Sequence, residues 1–170
     1  IELTQSQIGI NSRSIVATYL NIFDDIRDIY ALIDTSKHFG LDKSNFSFNT
    51  IAGACSTCNG LGEYKENICP TCLGQRYKPE VLSVEYMDLN IYELLNTSVH
   101  NIPKFSMSKK ISFAMEILHK LGLSHIQLGR VTSTLSGGEA QRIKLAKVLI
   151  DSVNYIEQGG YLFVFDEPST

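Results

Sequence analysis

The sequence predicts a mixed α/β fold, mainly helical, in which a small cysteine-rich hairpin interrupts a set of amphipathic helices. Three observations carry this. Apolar residues recur at helical spacing in several separate stretches. Four cysteines fall into two Cys-x-x-Cys pairs separated by ten residues. Towards the C-terminus, Tyr161 to Phe165 is a short apolar run that ends in two carboxylates, Asp166 and Glu167. That is the pattern of a buried parallel strand delivering acids to the C-terminal edge of a sheet, where such sheets bind ligands.

Taken in order, residues 1–17 are polar and irregular and predict a loop. From Thr18 to Ile33, the residues Ile22, Phe23, Ile26, Ile29, Tyr30 and Ile33 share one helical face. Residues 34–54 mix Ser, Asn and Gly and predict a connecting segment with short extended pieces. The cysteine module runs over 55–72. Val81 to Met87 alternates enough to predict a strand, and Asn90 to Leu95 predicts one or two helical turns. Lys109 to Leu121 is amphipathic, with Ile111, Met115 and Leu118 on one face and Gly122 as its stop. A last helix is predicted from Gly138 to Ile150, burying Ile143, Ala146, Leu149 and Ile150.

The 170 residues, 44% of them apolar, suffice for one or two domains with a real core. A net charge of −3 argues against a general nucleic-acid-binding protein with a broad basic surface. No stretch approaches the length of a membrane span, and the N-terminus lacks the basic-then-apolar order of a secretion signal. No membrane contact is expected, and the expected location is the cytoplasm. The chain starts at Ile1 and stops just past the predicted strand, at Thr170, so an excised piece of a longer protein is expected.

Cys55-Ser56-Thr57-Cys58 and Cys69-Pro70-Thr71-Cys72 can supply four thiolates to one tetrahedral Zn²⁺, each pair making a tight turn and the spacer a small hairpin. Gly60, Gly62 and Gly74 suit the chain reversals after each pair. A disulfide pair is the alternative, and a reducing compartment works against it. His38, His100, His119 and His125 are not needed once four sulfurs close the site, and are assigned to surface or packing. Within the same stretch Lys65, Arg76 and Lys78, with Tyr64 and Tyr77, are candidates for phosphate contact and base stacking, and Glu63, Glu66 and Glu80 balance their charge. Lys104, Lys109 and Lys110 form a second basic cluster, read as a solvated helix start.

Leu135-Ser136-Gly137-Gly138-Glu139-Ala140-Gln141-Arg142 is half of a phosphate-binding device. Two glycines let backbone approach an anion, and a helix starts directly after them with its free N–H groups and positive dipole end exposed. Ser136 with Glu139 is also a capping box, which explains the Ser and the Glu but not the double glycine.

This loop and the carboxylate strand together resemble the signature motif and Walker B strand of ATP-binding-cassette ATPases. The run from Leu135 through Ala146, preceded by Gly122-Leu123 and Leu128-Gly129, is similar to the UvrA family, the damage-recognition subunits of bacterial excinuclease ABC. So are Phe46-Ser47-Phe48-Asn49 with Gly53-Ala54-Cys55, and the second cysteine pair leading to Arg76-Tyr77. Gln5-Ser6-Gln7-Ile8-Gly9, through Arg13-Ser14 to Ala17-Thr18-Tyr19, resembles the Q-loop region of the C-terminal half of such proteins; Gln7 and Ile10 stand where the family usually has Pro and Arg.

The resemblance implies a piece of an ABC-type P-loop ATPase. It would comprise a Q-loop segment of the nucleotide-binding core (1–17), a mainly helical signature domain with an inserted four-cysteine zinc hairpin (18–135, module at 55–72), and the signature helix with the Walker B strand (136–170). It assigns Mg²⁺ to Asp166, the general base to Glu167, and nucleotide contacts to Gln5, Ser136, Gly137, Gly138 and Gln141. The expected cofactors are ATP, Mg²⁺ and Zn²⁺. The expected partners are damaged double-stranded DNA, the other nucleotide-binding domain, a second copy in a homodimer, and a UvrB-like protein. The expected function is ATP-dependent damage recognition in nucleotide excision repair. The alternative is an ABC ATPase paralogue with a role in drug resistance or transport; the spacer, shorter than in typical members, adds weight to a UvrA paralogue against the housekeeping repair subunit. A transporter ATPase has no reason to carry the cysteine pairs.

Cys-x-x-Cys-x-Gly-x-Gly at 55–62 also resembles the zinc domain of Hsp40-type chaperones. The second pair breaks that pattern at Gln75-Arg76, and a chaperone leaves the signature loop unexplained. No Gly-x-x-x-x-Gly-Lys-Ser/Thr loop occurs in the sequence, so the chain alone is expected neither to bind ATP tightly nor to hydrolyse it.

Overall fold

The computed structural model describes residues 13–103 and 108–156. Residues 1–12 of the predicted Q-loop segment, with Gln5, and Lys104, and the strand Tyr161 to Phe165 with Asp166 and Glu167 lie outside the described residues.

The predicted first helix is two helices, α1 (Val16–Tyr19) and α2 (Phe23–Leu32). The break falls at Asn21, whose φ of 57° is left-handed, a conformation that Asn tolerates better than most residues. The predicted face is largely real: Ile22, Phe23, Ile26, Ile29 and Tyr30 are buried. The connecting segment is more helical than expected, with α3 (Asp34–His38) and a 3-10 turn at Lys43–Phe46. Asp42 caps that turn by accepting the Ser44 N–H at 2.7 Å.

The cysteine hairpin is β1 (Glu63–Tyr64) against β2 (Asn67–Ile68), antiparallel, with Glu63 opposite Ile68. Lys65 and Glu66 both have positive φ, 49° and 65°, as the two-residue turn that matches strand twist requires. The strand predicted over Val81 to Met87 is instead a helical turn, α4 (Pro79–Leu82), followed by β3 (Glu85–Tyr86) paired with β4 (Leu89–Asn90). Pro79 sits at the start of α4, where its fixed φ suits a helix and its missing N–H costs nothing.

Helix α5 (Ile91–Asn96) opens on a full capping box between Asn90 and Glu93. Helix α6 (Lys109–Lys120) is capped by Ser108 and ends at Gly122, which has a φ of 70°. The last helix, α7 (Gly137–Ile156), runs further than predicted and buries Ile143, Ala146 and Ile150 against the core, Leu149 being half-buried.

One apolar core joins α1, α2, α5, α6 and α7. Tyr30 is fully enclosed, and its hydroxyl donates to the Leu89 carbonyl at 2.7 Å, which ties α2 to β4. Burial pushes that phenol well above its ordinary pKa. Two seams then position the candidate sites. Residues 53–55 run antiparallel to 76–78, with Cys55 N–H on Arg76 O at 2.8 Å and Lys78 N–H on Gly53 O at 3.0 Å, and this seam holds the cysteine module to the core. Residues 14–17 bond to 128–132, with Ala17 N–H on Leu128 O at 2.8 Å, Val16 N–H on Arg130 O at 3.0 Å and Thr132 N–H on Ser14 O at 2.9 Å. This second seam anchors the chain just before α7.

Candidate metal centre and signature turn

The four cysteines converge. All four Sγ atoms lie within 4.8 Å of one another, with Cys55 to Cys69 at 3.9 Å and Cys58 to Cys72 at 3.6 Å, and all four side chains are buried free thiols. A tetrahedral Zn²⁺ with Zn–S bonds of about 2.3 Å needs sulfurs about 3.8 Å apart. The set therefore fits zinc in geometry and in ligand softness. A disulfide needs sulfurs at about 2.05 Å, and no pair meets that. All four histidines are exposed, and none belongs to this cluster.

The backbone supports the sulfurs. Gly62 N–H donates to Cys58 Sγ at 3.3 Å, and Arg76 N–H donates to Cys72 Sγ, also at 3.3 Å. Backbone N–H groups of Cys72 and Thr71 hold the Cys69 thiol down to about 7, while burial pushes Cys72 up to about 12. A dication among them would favour the thiolate at every position.

The residues predicted to touch nucleic acid separate into two groups. Lys65 is exposed on the hairpin turn, 5.4 Å from the centre of the Tyr64 ring, which is itself 43% exposed. Lys78 is half-buried beside the 53–55 seam. Arg76 and Tyr77 face inward. The Arg76 guanidinium lies 3.6 Å above the Phe48 ring, and its Nε donates to Gly60 O at 2.7 Å. Tyr77 is 1% exposed and packs edge-on against Phe48, with ring centroids 5.8 Å apart, so its ring offers no face to a base in this conformation. Of the second basic cluster, Lys110 is committed to Asp25 at 2.8 Å.

The signature turn opens α7. Ser136, Gly137, Gly138 and Gln141 are exposed at the start of α7. The capping box is present: Ser136 N–H donates to Glu139 Oε2 at 2.8 Å, and Ser136 Oγ accepts the Glu139 N–H at 3.3 Å. A Cβ added at Gly137 or Gly138 would meet nothing within 4 Å among the described residues, and neither φ is positive. The double glycine thus answers no packing or backbone need inside the described chain, and it leaves the first turn open to close approach from outside.

Sequence reasoning did not find the support behind this turn. Glu139 Oε1 accepts both Arg130 Nη1 and His125 Nε2, each at 3.1 Å. The Ser136 N–H, then His125 and Arg130, hold the Glu139 carboxyl well below its ordinary value, at about 2. The sole signal in the sequence was Glu139 itself, because partners nine and fourteen residues upstream follow no helical period.

No family model matches the sequence. The chain is 39% identical over 180 aligned residues to UvrABC system protein A of Streptococcus mutans, covering 100% of this chain and 19% of that protein. UvrABC system protein A of Chlamydia trachomatis is also 39% identical, over 177 residues, covering 100% of this chain and 10% of that protein. Among solved structures, the crystal structure of UvrA2 from Deinococcus radiodurans superposes with a TM-score of 0.77 at 38% identity, covering 87% of this chain and 19% of that one. The chain therefore spans a fifth or less of the length of these relatives. Along its whole sequence, and over most of its fold, it belongs to the UvrA family, as a segment of such a protein.

Proposed function

We propose that this chain supplies the signature turn and a zinc-stapled module to an ATP-dependent damage-recognition protein of nucleotide excision repair. One observation carries the reading: the Ser136-Gly137-Gly138 turn is exposed, pre-capped and free of any internal reason for its glycines among the described residues. The turn receives the γ-phosphate of ATP held by another nucleotide-binding domain, through Ser136, the Gly137 and Gly138 backbone, and Gln141. By similarity to the family, Asp166 would hold Mg²⁺, Glu167 would serve as the general base, and Gln5 would sense the nucleotide. Cys55, Cys58, Cys69 and Cys72 hold Zn²⁺, whose part is to close the module.

Nucleotide-driven closure shifts the population of the inserted domains between two grips on DNA. The partners under this reading are damaged duplex, the second nucleotide-binding domain, a second copy and a UvrB-like protein, and the setting is the cytoplasm. Lys65 and Lys78, with Tyr64, are the side chains of the module that would meet a phosphate backbone; no helix among the described residues is long and apolar enough to cross a membrane.

The test is binding of a full-length UvrA-type protein carrying this sequence to matched duplexes, with and without a bulky lesion, in ATP and without it. A nucleotide-dependent preference for the lesion supports the reading. Equal binding to both duplexes overturns it and points to a paralogue with another client. The 170-residue chain by itself is expected to show no ATP turnover, because its sequence holds no Walker A loop.

A further inference from the structure

Glu139 has more partners than a helix cap requires. A capping box needs one carboxylate oxygen, and Oε2 meets that need at the Ser136 N–H. The other oxygen is held from the side by Arg130 and His125, and the Glu139 side chain is only 12% exposed. Arg130 does more than pair with it. Its Nη2 donates to the Thr134 carbonyl at 2.9 Å, and its Nε reaches Thr134 Oγ1 at 3.4 Å. One guanidinium therefore clamps the 3-10 turn Thr132–Thr134 onto the first turn of α7, using the fixed fork that Arg has and Lys lacks.

The backbone of the same residue has a different partner. Arg130 O accepts the Val16 N–H at 3.0 Å, within the seam that binds residues 14–17 to 128–132. That segment is the end of the stretch 1–17 assigned by resemblance to the Q-loop region. Arg130 thus touches both the 14–17 segment, by its backbone, and the capping carboxylate of the signature turn, by its side chain.

We propose that Arg130 is the positioning residue of the signature turn: through Glu139 it fixes the Ser136 N–H and the open glycine turn, and it references them to segment 14–17. The catalytic consequence rests on the reading of that turn as a γ-phosphate receiver. The positioning itself does not. His125 is a second, weaker support on the same oxygen, more exposed at 58% against 33% for Arg130.

The test uses the zinc-loaded full-length protein and compares Arg130→Gln, Arg130→Lys and His125→Gln. Amide hydrogen exchange is read at Ser136, Glu139 and Ala140, alongside the KM and kcat for ATP. In R130Q, exchange at Ser136 and Glu139 should quicken by about three- to tenfold while the core of α7 keeps its protection. R130K restores charge without the fork, so it should recover only part of that protection, and H125Q should change it less than R130Q does. Turnover in R130Q should fall mainly in kcat, since the turn engages phosphate only in the closed state. Unchanged exchange at Ser136 and Glu139 in R130Q overturns the proposal, as does full recovery by R130K. Loosened exchange with unchanged turnover leaves Arg130 as the positioning residue and overturns the reading of the turn as a phosphate receiver.

Discussion

The two halves of the four-cysteine cluster have the same backbone built largely from different residues. At an offset of fourteen residues Cys55 matches Cys69, Cys58 matches Cys72, and the Thr57 and Thr71 hydroxyls meet each other at 2.7 Å on the line between the halves. The match continues past the cysteines: φ is 49° at both Asn59 and Leu73, 76° and 86° at Gly60 and Gly74, and 82° and 74° at Gly62 and Arg76. Each half closes the other, with Cys69 N–H on Gly62 O at 2.9 Å and Cys55 N–H on Arg76 O at 2.8 Å. The comparison teaches that four sulfurs around one centre, with an N–H to Cys58 and to Cys72, dictate a left-handed residue four places on. Glycine fills it in one half. In the other an arginine accepts the strained conformation, and its side chain gains Phe48 and Gly60 as partners.

The largest way to break this symmetry is to remove the centre. Cys58→Ser and Cys72→Ser should be equally damaging, and chelation should match them, because structural zinc sites in small modules are worth about 10–16 kcal/mol of apparent binding free energy. Zinc content and exchange across residues 53–78 measure this; unequal effects of the two substitutions would show that the halves are not equivalent.

The next test separates the halves by their surroundings. A Cβ on Gly60 would lie 1.9 Å from the Phe48 carbonyl oxygen, whereas one on Gly74 would meet only Ile68 Cγ2, at 3.8 Å. Gly60→Ala should therefore cost about 3 kcal/mol or more, and Gly74→Ala only the left-handed penalty of about 1–2 kcal/mol. Urea midpoints of the zinc-loaded protein check the order, and equal costs would refute it.

A smaller effect sharpens the account of Arg76. Arg76→Ala keeps the left-handed strain and loses both partners, so it should be the more damaging change. Arg76→Gly loses the same partners but relieves about 1 kcal/mol of strain, and should lie that much closer to the parent in stability. Thermal melts of the two variants beside the parent read the difference.

The most local effect concerns the other site. The Glu139 carboxyl is held at about 2 in the fold against an ordinary 4.5. A depressed folded value contributes stability that is present above the unfolded value and is lost as pH falls through the folded one. Protection of the first turn of α7 should therefore fade between about pH 4.5 and 2. Glu139→Gln should flatten that dependence in an exchange measurement, whereas the parent should not be flat.

The convergence of the four cysteines was legible because they are close in sequence and their pattern is nearly unique: two Cys-x-x-Cys pairs with a short spacer have few uses besides holding a metal. The signature turn was legible for the same reason, being one contiguous run. The helices on either side were found where apolar spacing was clean, as in α6, and misplaced where one left-handed Asn21 or one Pro79 redirected the chain. Arg76 and Tyr77 show the limit from the other side. A basic and an aromatic residue in a zinc module suggest nucleic acid, yet the structure spends both on Phe48, since Tyr77 lies on the seam that joins module to core.

The sequence by itself thus determined what is local: the ligand set, the capped glycine turn, the helical faces and the family they spell. The tertiary structure decided what depends on distant segments meeting. It folded Arg76 onto the Phe48 ring instead of into solvent, and it set Arg130 and His125 on one oxygen of Glu139. The physical reason is range. Caps, turns and chelate spacings are fixed by covalent geometry within a few residues, whereas a guanidinium reaches whichever carboxylate or ring the packed core brings beside it.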